Sequence, residues 1–256
     1  MYDTIELVKE RGLATVTLNR PELNLMNWQM IRELADAAKD ISHDEVIRVV
    51  VVTGPGERVF TAGVDVHEMK DLDPSGAGQF ISDLHRMILR FREMDRIVVA
   101  AINGYCLGGG CELAMACDIR IAAENAQIGL PEIQVGIPSV IEAALMPLLM
   151  GVGRAREMML IGDAITAEEA AKAGLVGRVV AKAELRNATT ELTDRLLGYG
   201  PTALRLQKRV LNRWLPPDFE EAIQYSIEAF SQCFATGEPH EAMSAFLEKR
   251  APRFGE

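Results

Sequence analysis

No apolar run in this chain approaches the roughly 18 residues needed to span a bilayer. The opening "MYDTIELVKE" also lacks the basic-then-apolar order of a secretion signal. A cytoplasmic protein with no membrane association is expected. Cysteine is scarce, and Cys106, Cys111, Cys117 and Cys233 form no C-x-x-C pairs, which argues against zinc sites and, without a signal peptide, against a disulfide framework. The four are expected as small buried hydrophobes. Positive charge is also short: 27 Lys and Arg stand against 37 Asp and Glu, for a net charge of -10. That balance argues against a nucleic-acid partner and requires any anionic ligand to be met by a local pocket. Low-complexity tracts and short-period repeats are missing too.

What is present is ordinary globular composition, 256 residues with 48% hydrophobic and 25% charged, enough for one core plus an appendage. "TIELV" and "LATVTL" read as two strands around a polar "KERG" turn, and "WQMIRELADAAKD" has the spacing of an amphipathic helix. "VIRVVVVTG" and "IVVAAING" are continuous runs of the kind buried on both sheet faces, with helical "GQFISDLHRMILRFREM" between them. A further strand, "IRIAAE", follows Asp118. "VIEAALMPLLMG", "REMMLIG" and "TAEEAAKAG" are expected to be mostly helical, stopping at Gly151, Gly162 and Gly174, before a short strand in "LVGRVV". Strands alternating with helices predict an α/β fold. From about Ala183 the pattern is helical, broken at Gly200-Pro201 and Pro216-Pro217, and its surplus apolar stripe predicts an oligomer.

The two buried strands end alike, one leading to "FTAGVDVHEM" and the other to "NGYCLGGGCELAMACD". Each delivers a small-residue turn and then a helix start, so both loops point unpaired N–H groups beyond the carboxyl ends of strands. A phosphate loop is excluded because no Lys-Ser/Thr follows the glycines. The G-x-G-x-x-G pattern fails at Leu113, and there is no G-x-S-x-G elbow for a serine nucleophile. What remains is a backbone anion hole with one N–H from each loop. Glu112 lies just inside the helix opened by the glycines, where the dipole favours a carboxylate. Glu132, between Gly129 and Gly136, has apolar neighbours that would desolvate it. Two carboxylates in unlike surroundings beside an anion hole suit a general base and a general acid.

These residues, with "NRPE" (19–22), "FTAGVD" (60–65), "PEIQVGIP" (131–138) and "AMSAFLEKR" (242–250), make the chain resemble the crotonase, or enoyl-CoA hydratase/isomerase, superfamily. The resemblance implies a crotonase-like spiral of ββα units over 1–195. It also implies a C-terminal helical region, 196–256, that builds a homotrimer or a homohexamer of paired trimers. It places the oxyanion hole at the N–H groups of Val64 and Gly109. Hydratases of the family carry glutamates at both matching positions, whereas its isomerases usually keep only the second. The pair Glu112 and Glu132 therefore implies hydration of a trans-2-enoyl-CoA to a 3-hydroxyacyl-CoA. Glu112 would activate the water and Glu132 would protonate C2. No metal and no resident cofactor are implied, since coenzyme A is part of the acyl-CoA thioester substrate.

The same resemblance gives a substrate- and coenzyme-binding set of Arg58, Ala62, Asp65, His67, Gly108, Ser139, Phe230 and Lys249. Phe230 and Lys249 are expected to reach a neighbouring subunit's ligand. Glu22 and His67 stand where relatives often use lysines toward the coenzyme's phosphates. "GIPSVIEAALMPLLMG" replaces the usual glycine-rich P-G-x-G-G-T stretch. Ser139 falls where a backbone N–H helps hold the water, and Glu142 adds a third acid; alternatively Ser139 caps a helix with Glu142 in its first turn. His43, His85 and His240 show no ligand spacing and receive no role. The alternatives are a Δ3-Δ2 isomerase using Glu132 alone, another crotonase-type acyl-CoA reaction, or a non-catalytic acyl-CoA-binding subunit.

Overall fold

The computed structural model describes residues 2–216 and 218–253, so Met1, Pro217 and the last three positions lie outside it. β1 (Ile5–Glu10) and β2 (Leu13–Leu18) form an antiparallel hairpin in register from Ile5 opposite Leu18 to Glu10 opposite Leu13. Its alternating residues bury one face. α1 (Trp28–His43) follows, capped by Asn27, whose side chain accepts the Met30 N–H at 2.9 Å. Met30, Ile31, Leu34, Ala37, Ala38 and Ile41 turn one helical stripe into the core.

Three strand pairs then repeat one plan. β3 (Val49–Thr53) and β4 (Val59–Thr61) lead to a single helical turn, α2 (Val66–Met69), and to the long α3 (Pro74–Glu93). β5 (Ile97–Ile102) and β6 (Tyr105–Leu107) lead to α4 (Gly109–Ala116), and β7 (Ile119–Ala123) is followed by β8 (Gln127–Gly129). The first strand of each pair joins a six-stranded sheet and the second a four-stranded one. The chain therefore winds as a crotonase-like spiral. Three-residue strands are too short to show a periodicity, so β4, β6 and β8 were not legible in the sequence and read there as loops. Their crossing explains Gly104, where a Cβ would collide with the Arg58 carbonyl.

After two 3₁₀ turns, Glu132–Val135 and Ile141–Leu145, come α5 (Met146–Met150), α6 (Val152–Ile161), β9 (Ile165–Thr166), α7 (Ala167–Ala173) and β10 (Arg178–Val180). "VIEAALMPLLMG", expected as mostly helical, thus opens in a 3₁₀ turn and reaches α-helix only at Met146. Gly162 and Gly174 end α6 and α7 in the left-handed conformation. β10 completes the large sheet in the order β1-β2-β3-β5-β7-β10, parallel except for the first hairpin. β9 edges the small sheet, β4-β6-β8-β9, antiparallel to β8.

α8 (Leu185–Leu197), α9 (Pro201–Arg213), α10 (Phe219–Cys233) and α11 (Glu238–Leu247) complete the chain. The main apolar core lies on one side of the large sheet and takes in Phe219, Ile223, Phe230 and Met243 from the last two helices. The other sheet face buries Val49, Val51, Ile97 and Val99 against Leu192, Leu196 and Leu204 of α8 and α9. Burial on both faces is the reason those strands are continuous β-branched runs. α9 leaves Leu206, Val210 and Leu211, and Trp214 at its end, exposed. On its inner side Lys208 is 3% exposed and pairs with Asp118 at 2.9 Å. Among the described residues no helix is long and apolar enough to cross a membrane.

Candidate active site

β4 and β6 run parallel and deliver their loops side by side. Val64 is held between two backbone bonds: Met26 donates to the Gly63 carbonyl at 2.8 Å, and Asp65 donates to Met26 at 2.9 Å. Opposite it, Gly108 caps α4 at φ 54°, a conformation that suits glycine, and Gly109 opens the helix. The loops touch closely, since a Cβ on Gly109 would meet a Val64 methyl at 3.4 Å. Among the described residues, neither the Val64 N–H nor the Gly109 N–H has a protein acceptor. The Gly109 donor also sits at the positive end of the α4 dipole.

Beneath these donors lie the two carboxylates. Glu112, one turn into α4 and 3% exposed, accepts the Ala143 N–H on Oε1 at 3.1 Å. Glu132, half-buried at the start of its 3₁₀ turn, accepts the Ser139 hydroxyl on Oε2 at 2.8 Å. Its Oε1 would stand 3.1 Å from a Cβ on Gly108, so a side chain at 108 would displace the acid. Burial pushes the Glu132 carboxyl up to about 7, partly opposed by its own backbone and by Ser139. Burial also drives the Glu112 carboxyl well above its ordinary value, with the charges of Glu132 and Glu142 adding to the rise.

Val64, Gly109, Glu112 and Glu132 share one small cavity of about 20 Å³, walled by Phe80, Ile81, Leu84, Val140 and Phe230. That is room for about one water. A larger cleft of about 1490 Å³ runs beside α9 past Arg96, Arg205 and Arg209, but holds neither the glutamates nor the paired N–H donors. Among the described residues no group of three or more His, Cys, Asp or Glu is placed to hold a metal ion.

The remaining sequence-stated residues fall in several places. Ala62 leads into the Val64 loop, its N–H bonded to Leu23 at 3.0 Å. Asp65 caps α2 by accepting the His67 N–H at 3.1 Å and pairs with Arg20 at 2.8 Å, so its carboxylate is occupied by the fold. Arg58, His67 and Lys249 are exposed outside the cavity. Phe230 stands in the wall of its own chain's cavity, 2% exposed. Ser139 caps no helix; its hydroxyl goes to Glu132.

The structure pairs His85, which the sequence gave no role, with Glu142, which the sequence offered as a third acid or a first-turn residue. Glu142 is 0% exposed, with Oε1 at 3.0 Å from His85 Nδ1 and 3.7 Å from an Arg92 guanidinium nitrogen. His85 was given no role because its partner is 57 residues away, and no local spacing reports such a pair. All three free cysteines of the core, Cys106, Cys111 and Cys117, are buried as expected, and Cys233 is half-buried.

The model of the enoyl-CoA hydratase/isomerase family matches residues 8–256. The chain is 38% identical over 250 residues to a short-chain-enoyl-CoA hydratase of Clostridium acetobutylicum, covering 97% of this chain and 96% of that protein. It is 38% identical over 255 residues to a crotonyl-CoA hydratase of Syntrophomonas wolfei, covering 99% and 98%. A solved enoyl-CoA hydratase/isomerase from Xanthobacter autotrophicus superposes with a TM-score of 0.87 at 28% identity, over 99% of this chain and 100% of that one.

Proposed function

The chain belongs to the enoyl-CoA hydratase/isomerase family, and from that premise we propose that it adds water across the 2,3 double bond of a trans-2-enoyl-CoA, giving a 3-hydroxyacyl-CoA. The observation that carries the reading is the presence of two carboxylates and two acceptor-free N–H groups around one water-sized cavity. The thioester oxygen accepts from Val64 and Gly109, which stabilise the enolate-like charge as it forms. Glu112 takes a proton from water as the water oxygen bonds to C3, and Glu132 delivers a proton to C2 as the electron pair returns from the oxygen. The protons are then rebalanced between the glutamates through solvent.

The electrostatics keep a proton within this pair, since burial raises both carboxyls. Two buried carboxylates close together resist ionising at once, so the pair retains one proton into the neutral range. A carboxyl raised to about 7 holds that proton where the acid needs it. Coenzyme A enters as part of the substrate, and the scheme uses no other cofactor. The reading assigns the exposed cations Arg58 and Lys249 to its phosphates on the family resemblance alone. The apolar stripe of Leu206, Val210 and Leu211 beside Trp214 is the surface through which the chain would form a trimer, or a hexamer of two trimers. Incubating the enzyme with crotonyl-CoA should yield a product heavier by one water, with ¹⁸O at C3 when run in H₂¹⁸O; an unchanged mass refutes the proposal.

Two further outcomes arise from the walls. Phe230 walls the cavity beside both glutamates. Phe230→Ala should raise kcat/KM for octenoyl-CoA relative to crotonyl-CoA by about 10-fold or more, measured as a ratio so that lost stability cancels. Ser139→Ala removes a hydrogen bond that favours the Glu132 carboxylate, so its pKa rises further. Because the acid must be protonated, the alkaline limb of the kcat/KM profile should move up by about one pH unit.

A further inference from the structure

Shortly after Glu132 the chain makes a turn that its sequence does not favour. Ile141 sits at φ 40°, a genuine outlier for a β-branched residue. It is held from both sides. Its own N–H donates to Ser226 Oγ of α10 at 2.9 Å, and the next side chain, Glu142, is the fully buried carboxylate that meets His85 and Arg92 of α3. The residue after that, Ala143, presents the N–H that holds Glu112.

Burying such a cluster is costly, and it is not fully satisfied: Glu142 Oε2 and one Arg92 guanidinium nitrogen have no hydrogen-bond partner among the described residues. An apolar side chain of similar volume would anchor the turn without that cost. The charge therefore calls for a role at its neighbour.

We propose that Glu142, clasped by His85 and Arg92, is a positioning residue for the base: it locks the left-handed turn at Ile141, fixes the Ala143 N–H on Glu112, and sets the negative field that Glu112 experiences. This rests on the hydratase reading of the site. The groups facing Glu142 are His85 and Arg92 on α3 and Glu112 on α4, with Glu220 of α10 completing the Arg92 pair and Glu132 acting on Glu112 from its 3₁₀ turn. The rise in the Glu112 carboxyl that Glu142 contributes agrees with this arrangement.

The test pairs pH profiles of crotonyl-CoA hydration with a ¹³C NMR titration of glutamate carboxyl carbons in the free protein. Glu142→Gln keeps the shape and removes the charge. It should lower kcat by about 10- to 100-fold with little change in KM. Both the acid limb of the profile and the Glu112 titration should move down by about one pH unit. His85→Asn, a second variant that leaves the Glu142 charge less compensated, should lower kcat and move the Glu112 titration up. If both variants lose activity while the Glu112 titration stays at its wild-type position, the cluster is merely structural and the proposal is overturned. Wild-type inactivity on crotonyl-CoA would defeat the hydratase reading alone, because the titrations in Glu142→Gln and His85→Asn still decide what the cluster does to Glu112.

Discussion

Glu112→Gln is expected to lower kcat for crotonyl-CoA hydration by about 10²–10⁴-fold, the usual contribution of a positioned general base. KM should change far less, because the amide fills the same space and the thioester oxygen is still met by Val64 and Gly109. Stability should move the other way. A carboxyl raised in the folded state binds its proton more tightly there than in the unfolded chain, so the stability it contributes is present at low pH. It is lost as pH rises from the ordinary value of 4.5 toward the folded value, which for Glu132 is about 7. As pH rises the wild type is driven to ionise two carboxyls that the fold favours protonated, and Glu112→Gln removes one of them. Thermal unfolding at pH 5 and pH 8 should therefore show a smaller pH dependence in the variant. Equal activity in wild type and Glu112→Gln would remove Glu112 from the chemistry.

The second large effect lies far from the cavity. Lys208 of α9 donates to the Phe91 carbonyl at 3.2 Å and the Arg96 carbonyl at 2.8 Å while pairing with Asp118, which also accepts the Val98 N–H at 2.7 Å. This buried cluster ties α9 to the large sheet. Lys208→Met should cost about 3–5 kcal/mol, since it leaves Asp118 and two carbonyls uncompensated. For a domain of this size that corresponds to a Tm lower by roughly 6–20 °C. Asp118 is already pushed up by burial, against the pull of Lys208. Without Lys208 its carboxyl rises further, so the loss should be greatest at neutral pH and smallest below the ordinary carboxylate range. Adding Asp118→Asn should recover part of the stability. A Tm within a degree or two of wild type in Lys208→Met would show that the pair does not hold the helix.

Both effects bear on what the sequence could disclose. The buried strands were legible because Val49–Val52 and Ile97–Ile102 are covered on both faces, and a run of β-branched residues has few other uses. The helix ends were legible where a chemical stop stands, as at Gly162 and Gly174. The glycines of the 104–110 turn announced a close approach, but the sequence could not say by what. For Gly104 the answer is the backbone of the neighbouring strand β4, and for Gly108 it is a left-handed turn beside Glu132. Lys208 reads as one more charge on an amphipathic helix, and Glu142 as a first-turn acid. Their partners lie 90 and 57 residues away, and burial of a charge depends on those distant partners, which no local period records. Phe230 reads in the sequence as an aromatic of an apolar helical stripe, and only packing of α10 against α3 shows which cavity it walls.

The central claim is that Val64, Gly109, Glu112 and Glu132 together hydrate an enoyl thioester, and the absorbance of that conjugated thioester reports it directly. Wild-type enzyme should consume the crotonyl-CoA signal, and Glu112→Gln and Glu132→Gln should each slow the loss by about 10²-fold or more. No loss with wild-type enzyme on crotonyl-CoA or any longer homologue would contradict the account, as would a rate that neither substitution alters.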